Sequence, residues 1–474
     1  MPAAIVGSLA PMSSEPSWEV NLSRRALLAG GGTLVAGLAA AQARAAVPGP
    51  ARDWLREAAG GGASSWALPA HDLAATRHAA HRPGLKHRWS AKFPGGVPAT
   101  AAISSGVVYA ASAQGEVAAL KLADGTEIWR RGLGTYTYGS AEGKRRLGFF
   151  SGVALTDDSV IVASEVVYRL DRATGKTVWK SEPLRTDSSD DYFWGPPVVV
   201  GDMVLLGSGS GGEVPTARGK LSAFSLADGS LVWSAATVPD GANGGGILAP
   251  ASVDRAAGLA YVATGAPYEA VAGSNPGTCS VIAIDLLDGT IVWQDQVFPA
   301  DRKGFDFNSA PMIVGDLLVA TNKDGAFAWN RHTHRRAWHR RITDPLAGGA
   351  KSAGPTGGPE GGPIATDGRR IFFLSNDAAT EGCVAAALSR SGRVLWRTPL
   401  PAFTFAAPAV GGDRLHVAGS DGTLRALDAG SGKIVARTPL GGASSAAPAI
   451  AAGHLVVGTG AEPYIPGDQL VCLG

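Results

Sequence analysis

A recurring tryptophan at the end of short β-like stretches is the feature that most constrains this chain. Six copies of the pattern end in Trp129, Trp179, Trp233, Trp293, Trp338 and Trp396. Ala436 takes the tryptophan's place in a seventh copy, and Trp89 ends an eighth segment that lacks its upstream half. Successive positions of this repeat, which we call stations, lie 40 to 60 residues apart between Trp89 and Ala436. A period of this length built from short strands predicts a β-propeller or a similar repeat array.

Each unit reads as strands joined by tight turns. In the first unit, the apolar runs Gly106–Ala110 and Gly115–Leu120 are followed by the turn Asp124-Gly125 and by the tryptophan strand. Asp-Gly and other Gly-containing turns between short apolar runs are typical of β-hairpins, because these residues tolerate positive φ. The indole that ends the unit offers a large flat surface for packing between neighbouring sheets.

We therefore predict an all-β, eight-bladed propeller over residues 85–474. Seven blades are continuous in sequence. The eighth combines C-terminal strands such as Leu455–Val457 with the Trp89 strand, which removes the open edge of a linear array. A seven-bladed ring is the alternative, since Ala436 makes one station degenerate.

Composition excludes several functional classes. The formal net charge is +2, which provides no basic field for nucleic acid. No run of eighteen apolar residues follows the N-terminal region, so no membrane-spanning segment is predicted there. The three cysteines have unrelated spacings and predict neither a metal site nor a disulfide framework. Without a CxxCH haem motif, any electron acceptor is expected to be a separate molecule.

The N-terminal residues have the pattern of an export signal. Arg24-Arg25 precedes a weakly apolar stretch that reaches Ala40, and Ala43-Arg44-Ala45 fits a small-x-small cleavage site. Residues 1–45 are thus predicted to be a cleaved twin-arginine signal peptide, which places the protein in the periplasm or outside the cell. Residues 46–84 are predicted to be an irregular or short helical lead-in.

The tryptophan repeat resembles that of two kinds of propeller. One is the family of dehydrogenases that use pyrroloquinoline quinone (PQQ), including the alcohol and polyvinyl-alcohol dehydrogenase types. The other is the non-catalytic propeller of outer-membrane protein assembly. The repeat alone does not distinguish these two kinds of propeller. The segments between the repeat units must therefore be compared with those of the dehydrogenases.

A glycine-rich segment, Gly207–Gly212, is followed by Glu213 and resembles the loop whose glutamate binds Ca²⁺ in the dehydrogenases. The resemblance implies that role for Glu213, and Ca²⁺ does prefer carboxylate oxygens. A solvent-exposed hairpin glutamate is the alternative. Ala266 stands where the family has a second ligand, an asparagine, and a methyl group cannot bind calcium.

The segment Pro299–Pro311 resembles the part of the family that carries the catalytic aspartate. Asp306 would be the base that removes the substrate hydroxyl proton, and its flanking phenylalanines favour a raised pKa through desolvation. Its alternative is a turn aspartate at a strand start. Lys323 lies in the hairpin whose basic residue donates to the quinone oxygens. A lysine at a hairpin tip is otherwise a solubility device.

Two further side chains are candidate cofactor contacts. Trp194 could supply a stacking face for PQQ, because the family's usual tryptophan is replaced by the glycine-containing segment Gly245–Pro250. It could equally be a core residue. Arg146 could bind the carboxylates of PQQ bidentately. The basic run Arg331–Arg341 is interpreted as a solvent-exposed blade edge, with binding of an acidic partner as the lesser alternative.

Two functions follow from this pattern. The first is an exported oxidoreductase that uses PQQ and Ca²⁺ to oxidise a small alcohol or polyol, with Asp306, Lys323 and Glu213 at its centre. The second is a non-catalytic propeller that binds a ligand or another protein. Convergence of the three side chains on one end of the ring would favour the enzyme.

Overall fold

The computed structural model describes residues 65–138, 145–184, 191–211, 217–267, 275–299, 306–307, 309–343, 364–377 and 380–474. These residues lie in the second of two compact units, Pro50–Gly474. Within them all regular structure is β-strand, and eight sheets each contain four antiparallel strands, which are successive in seven blades and come from both chain ends in the eighth. The all-β, eight-bladed prediction is confirmed. In the same ranges no helix has the length and apolarity to cross a membrane.

The chain enters the propeller through two strands and then builds the first three blades. The entering strands are β1 (His78–Ala79) and β2 (His87–Lys92). Blade 1 and the hairpin after it contain β3 (Ala102–Ser104), β4 (Val107–Ala111), β5 (Glu116–Lys121), β6 (Glu127–Gly132), β7 (Tyr136–Tyr138) and β8 (Arg145–Leu147). Blade 2 contains β9 (Ala154–Leu155), β10 (Ser159–Ala163), β11 (Val167–Asp171) and β12 (Thr177–Lys180). Blade 3 follows with β13 (Asp191–Tyr192), β14 (Val198–Val200), β15 (Met203–Ser210), β16 (Lys220–Ser225) and β17 (Leu231–Ala236).

Blades 4 to 8 repeat the same four-stranded meander. Blade 4 contains β18 (Ser252–Asp254), β19 (Leu259–Ala263), β20 (Ser280–Asp285) and β21 (Ile291–Gln296). Blade 5 contains β22 (Met312–Val314), β23 (Leu317–Asn322), β24 (Gly325–Asn330) and β25 (Arg336–Arg340). Blade 6 contains β26 (Ile364–Thr366), β27 (Arg370–Asp377), β28 (Gly382–Ser389) and β29 (Val394–Leu400). Blade 7 contains β30 (Ala409–Gly411), β31 (Arg414–Ala418), β32 (Thr423–Asp428) and β33 (Ile434–Pro439). Blade 8 contains β34 (Ala449–Ala451), β35 (His454–Gly458) and β36 (Gln469–Leu473).

The first strands of the blades line the axis of the ring, since those of neighbouring blades contact one another. Because each meander is antiparallel, two kinds of connection fall at the same end of the ring. They are the link between strands 2 and 3 of a blade and the link from strand 4 to the next blade. We call this the loop end. The turns between strands 1 and 2 and between strands 3 and 4 lie at the opposite end.

A belt of docked tryptophans joins successive blades near the outside. In every blade except the seventh, the fourth strand presents its indole to the turn between strands 3 and 4 of the next blade. The indole N–H donates to a carbonyl of that turn in six pairs: Trp89 to Leu122 (2.8 Å), Trp129 to Arg172 (3.0 Å), Trp179 to Leu226 (2.9 Å), Trp233 to Leu286 (3.0 Å), Trp338 to Arg390 (2.9 Å) and Trp396 to Ala429 (3.0 Å).

A glycine beneath each ring makes this docking close. Gly289, for example, has φ of 75°, and a Cβ there would lie 2.7 Å from a carbon of the Trp233 ring. Glycine therefore satisfies two demands at once, a left-handed backbone and the close approach of an indole. This explains why the Asp-Gly or x-Gly turn and the tryptophan recur together in the sequence.

Two stations depart from the rule, and the structure gives a reason for each. At the junction of blades 4 and 5, His334 replaces the glycine at φ of 57° and stacks on Trp293 at 4.6 Å and 17°. Ala436 faces blade 8, whose third and fourth strands come from opposite ends of the chain. That blade has no turn between strands 3 and 4 for an indole to contact. The missing tryptophan is a consequence of how the ring closes.

Ring closure takes place in blade 8 by backbone pairing. Strand β2 lies antiparallel to β36, from His87 opposite Leu473 to Lys92 opposite Gln469. Trp89 is thereby the fourth-strand residue of a blade whose other three strands are C-terminal. The predicted closure by N- and C-terminal strands is confirmed.

The segment Trp66–Ala79, which we call the strap, runs along the inside of the ring. Its backbone carbonyls accept hydrogen bonds from first-strand residues or their neighbours in six blades: Ile103 (to Trp66), Leu155 (to Ala67), Val253 (to Leu73), Ile313 (to Ala74), Thr366 (to Thr76) and Val410 (to Arg77). Trp66 and Arg77 are buried. The described part of the predicted lead-in, residues 65–84, has no helix.

Candidate functional site

The predicted site residues that the structure describes all belong to connections at the loop end. Asp306 follows blade 4, and Lys323 lies between strands 2 and 3 of blade 5. Ala266 lies in the corresponding connection of blade 4, while Trp194 and Arg146 precede blades 3 and 2. Glu213 lies outside the described residues.

The Asp306 segment is fastened to the ends of two neighbouring second strands. The backbone N–H of Phe307 donates to the carbonyl of Thr264, just after β19 (3.2 Å). The backbone N–H of Thr321, in β23, donates to Ser309 Oγ (2.7 Å). Lys323 follows Thr321 by two residues. The structure therefore brings Asp306 and Lys323, both half-buried, to adjacent strand ends of blades 4 and 5.

Aromatic rings form the floor beneath this pair. Phe307 is fully buried, with its ring centroid 5.7 Å from that of Phe327 and 6.3 Å from that of Trp329. Phe298 contacts Phe327 edge-on at 6.3 Å. Burial of these rings anchors Phe307 and thereby the position of the neighbouring Asp306.

A carboxylate next to Lys323 holds its hairpin in place. Asp324 is 8% exposed and pairs with Arg341 and with His339 Nε2 (3.3 Å). Its backbone N–H donates to Asn322 Oδ1 (2.9 Å). The imidazole of His339 in turn stacks on Phe327 at 4.1 Å and 13°. The hairpin is anchored to β25 and to the aromatic floor, so Lys323 is carried on a braced turn.

The basic run of blade 5 is largely exposed, as expected, and several of its cations are paired with acidic residues. Four carboxylates from blades 4 and 5 meet its cations: Asp254 with Arg331, Asp316 with His332, Asp295 with Arg336, and Asp324 with His339 and Arg341. Sequence analysis missed these pairs because the acids lie up to 77 positions away. The signal was the density of cations in this run, because nearby acidic residues reduce the repulsion between like charges.

Ala266 contributes only backbone to the site. Its carbonyl accepts the N–H of Gly245 (3.2 Å), and the N–H of Gly265 donates to Gly246 (2.8 Å). The glycine-containing segment before blade 4 is therefore packed backbone to backbone against the Ala266 turn. Among the described residues, no group of three or more His, Cys, Asp or Glu side chains is placed to hold a metal ion.

Trp194 is part of an aromatic cluster between blades 2 and 3. Its Nε1 donates to the carbonyl of Ser210 (2.8 Å), and its ring lies 4.6 Å from Tyr192 and 5.8 Å from Phe150. Tyr192 is fully buried, and burial raises the pKa of its hydroxyl. Trp194 itself is half-buried, so part of its indole faces outward from a rigid base.

Arg146 lies at another sector of the loop end. Its side chain is exposed, and its Nε donates to Thr135 Oγ1 (3.1 Å). It lines a cavity with Gln114 of blade 1 and Glu462 of blade 8. The structure places it there with residues of blades 8 and 1, whereas Asp306 contacts the strand ends of blades 4 and 5.

The chain is similar in sequence to several known proteins. The profile of the PQQ_2 family, described as "Outer membrane protein assembly factor BamB", matches residues 113–377 and 347–463. A quinohemoprotein alcohol dehydrogenase, ADH IIB of Pseudomonas putida, is 29% identical over 48% of this chain and 37% of its own length. The assembly factor BamB of Moranella endobia is 27% identical over 50% of this chain and 55% of its own. Polyvinylalcohol dehydrogenase of a Pseudomonas species is 24% identical over 68% and 56%, respectively.

The matched region spans between about a third and just over half of these relatives' lengths. Among solved structures, the quinohemoprotein alcohol dehydrogenase of Comamonas testosteroni superposes with a TM-score of 0.71 at 18% identity, covering 89% of this chain and 82% of that one. At this identity the likeness establishes the fold alone. The family profile extends over most of the propeller, and this chain therefore belongs to the PQQ_2 family of repeat propellers.

Proposed function

We propose that this protein is an exported quinoprotein oxidoreductase that uses PQQ and Ca²⁺ to oxidise an alcohol or polyol. The juxtaposition of Asp306 and Lys323 at the loop end of blades 4 and 5 is the observation that carries the proposal. Alcohol and polyvinyl-alcohol dehydrogenases among the relatives support it. The electrons would leave to a separate acceptor.

The described residues suit PQQ better than they suit calcium. A quinone needs a hydrogen-bond donor at its oxygens and a base near the substrate, and Lys323 and Asp306 supply both from braced turns. Calcium takes six to eight oxygen ligands. Ala266 offers none from its side chain, and its carbonyl already accepts a hydrogen bond. A calcium site would therefore depend on Glu213, on Glu269 or Asn275 in place of the missing asparagine, and on the cofactor itself.

The chemistry of the pair follows from its charges. PQQ, when bound, supplies a two-electron acceptor. The Asp306 carboxylate would take the proton of the substrate hydroxyl, while the Lys323 ammonium would orient the quinone and stabilise negative charge that develops on it. Asp324, His339 and Arg341 keep the lysine hairpin in position. The buried aromatic floor that includes Phe307 would limit water at this pair and strengthen these interactions.

The second candidate is a cofactor-free scaffold, and specific observations favour it. Ala266 replaces a metal ligand, and backbone occupies the region where the family usually has a tryptophan under the cofactor. The family profile that matches the chain also carries the description of an assembly factor, which is not an enzyme name. In this case the loop end would bind a ligand or a protein without redox chemistry.

Calorimetric titration of the full protein with PQQ and Ca²⁺ separates the two functions. The oxidoreductase proposal expects saturation at or below about tens of micromolar PQQ, the range in which a working cofactor site fills. Lys323→Ala should weaken this binding, while Asp306→Asn should retain it and abolish alcohol-dependent dye reduction. Lys433→Ala, at an exposed turn of blade 7, is the matched control. Absence of PQQ binding in the unaltered protein leaves the scaffold.

Export by the twin-arginine route is part of the same proposal. Replacement of both Arg24 and Arg25 by lysine should retain the protein in the cytoplasm of the expressing bacterium, as measured by cell fractionation. Export of the doubly substituted protein at the normal level would contradict this route.

A further inference from the structure

A cavity of about 460 Å³ lies at the loop end where the ring closes between blades 8 and 1. Its walls come from three connections that are far apart in sequence. Gln114 belongs to blade 1, Thr135 and Arg146 to the link toward blade 2, and Glu462 to blade 8. A volume of this size is in the range of small-molecule sites. None of these side chains contacts the Asp306 segment in the described structure.

Backbone contacts between blades hold the walls of the cavity. The N–H of Glu462 donates to the carbonyl of Gly95 (2.9 Å), and that of Ala113 donates to Gly96 (3.2 Å). Gly95 has φ of 72°, and a Cβ there would lie 2.8 Å from Gln114 Cγ. A glycine at this position therefore lets the loop approach the polar side chains closely. These contacts indicate that the lining of the cavity is preformed.

The polar groups of the cavity form a balanced set of donors and acceptors. Gln114 Nε2 donates to Glu462 Oε2 (2.7 Å), and Arg146 Nε donates to Thr135 Oγ1 (3.1 Å). These bonds orient the side chains. Among the described residues, no further hydrogen bond engages the terminal guanidinium N–H groups of Arg146 or the second carboxylate oxygen of Glu462. One cation and one anion face the same space. An anionic ligand would meet Glu462, and a cationic one would meet Arg146.

An exposed aromatic ring stands beside this polar set. Tyr464 follows the lining residue Pro463 and is 49% exposed. Its ring lies 6.0 Å from Phe150, which in turn lies 5.8 Å from Trp194. Tyrosine combines a rigid apolar face with a polar tip, a combination enriched at binding surfaces. Through Phe150, Tyr464 is thus connected to the half-buried Trp194.

We propose that this cavity binds a neutral polyhydroxylated chain, such as a polyol or an oligosaccharide. A hydroxyl group donates and accepts at once, which matches a guanidinium and a carboxylate presented side by side. The apolar face of such a chain packs on Tyr464. The site is independent of the redox proposal, because it requires neither PQQ nor calcium. It holds the ligand at the blade 8–blade 1 sector of the loop end.

The test is a titration without cofactor. Short poly(vinyl alcohol) and maltoheptaose are the probes, followed by calorimetry and by intrinsic tryptophan fluorescence, with 1-butanol and inorganic phosphate as comparison ligands. At least one polyhydroxylated probe should bind, whereas 1-butanol and phosphate should not. Arg146→Leu and Glu462→Leu should each weaken binding by about tenfold, the equivalent of 1.4 kcal/mol. Tyr464→Ala should weaken it similarly, and Tyr464→Phe should not.

Matched controls keep this test decisive. Arg397→Leu removes another exposed arginine, from the outer strand of blade 6, and should leave binding unchanged. Unchanged thermal melting of every variant shows that the propeller is intact. Equal binding by Arg146→Leu, Tyr464→Ala and the control would overturn the proposal, as would phosphate binding in place of the polyols. Failure of PQQ to bind in a separate titration affects only the oxidoreductase proposal.

Discussion

The tryptophan belt and the loop end are built on opposite plans. In the belt, one device recurs at six junctions: an indole, a glycine at positive φ and a hydrogen bond to a turn carbonyl. At the loop end the connections vary widely, from Lys323-Asp324 between β23 and β24 to residues 264–279 between β19 and β20. The tryptophan contacts of the repeat stabilise the ring, so the connections at the loop end can vary without loss of the fold. This division predicts that stability and function respond to different substitutions.

The largest effect on stability is expected from removing a belt indole. Trp233 is 7% exposed and donates to Leu286 across the blade 3–blade 4 junction. Trp233→Ala should lower the free energy of unfolding by about 3–5 kcal/mol. Chemical denaturation followed by circular dichroism measures the loss. Trp233→Phe, which keeps an aromatic ring and lacks the N–H, should lose less. Equal losses in both variants would contradict the packing role.

A next, smaller effect is expected from filling the space under an indole. Gly432 has φ of 73°, and an added Cβ would lie 2.5 Å from the Trp396 ring. Gly106 has nearly the same φ, 74°, with no atom within 4 Å of such a Cβ. Gly432→Ala should therefore destabilise the protein by about 1–3 kcal/mol more than Gly106→Ala. The difference in unfolding free energy isolates the indole contact from backbone strain.

A comparable but pH-dependent effect is expected at His416. This ring occupies a second-strand position that is apolar or tyrosine in the other blades, and neither of its nitrogens has a hydrogen-bond partner among the described residues. Burial lowers its pKa to about 3, below the ordinary value of 6.5. The unfolded chain therefore takes up a proton that the folded chain refuses. Its contribution to stability is complete above pH 6.5 and is lost as the pH falls from 6.5 toward 3.

The size of this loss follows from linkage. One pKa unit corresponds to 1.36 kcal/mol, so acidification to pH 5 should cost about 2 kcal/mol through this group alone. His416→Leu should flatten the slope of unfolding free energy between pH 6.5 and 5. The exposed His81→Leu is the control. An unchanged slope in His416→Leu would show that water reaches the ring.

The smallest effect on stability is expected at the loop end itself. Asp306→Asn and Lys323→Ala alter half-buried side chains in connections that the belt does not use. Each should change the unfolding free energy by no more than about 0.5 kcal/mol. Thermal melting beside the Trp233 variant provides the contrast. A loss near that of Trp233→Ala would place these residues in the fold and would remove the distinction between the two regions.

Sequence alone predicted the regular part of the molecule because its cause is local. The tryptophan, the glycine turn and the strand period stand within a few residues of one another, and eight units closed by both chain ends follow from them. The exceptions needed the structure. That His334 replaces a glycine, and that Ala436 has no turn to face, depends on which blade stands next. The strap escaped prediction because it binds through backbone carbonyls, which leave no mark in the sequence.

The candidate site was predictable in part for the same reason. Asp306 and Lys323 fall in ordered positions between strands, so the antiparallel meander brings their segments to one end. Their support did not follow, because Asp324 pairs with His339 and Arg341 only once β25 lies beside the hairpin. The cavity at the closure joins Gln114 to Glu462 across 348 positions. No local pattern encodes a contact of that separation.

The strap has a mechanical consequence for the closure. Blade 8 receives no indole from blade 7, because Ala436 stands at that position. We therefore expect this junction to separate more readily than the others under force or heat. Yet the carbonyls of Trp66 and Arg77 hold blade 1 and blade 7, the two neighbours of that blade. Separation of blades 7 and 8 therefore also requires that the hydrogen bonds of the strap break. Opening at the junction and release of the strap become a single cooperative event.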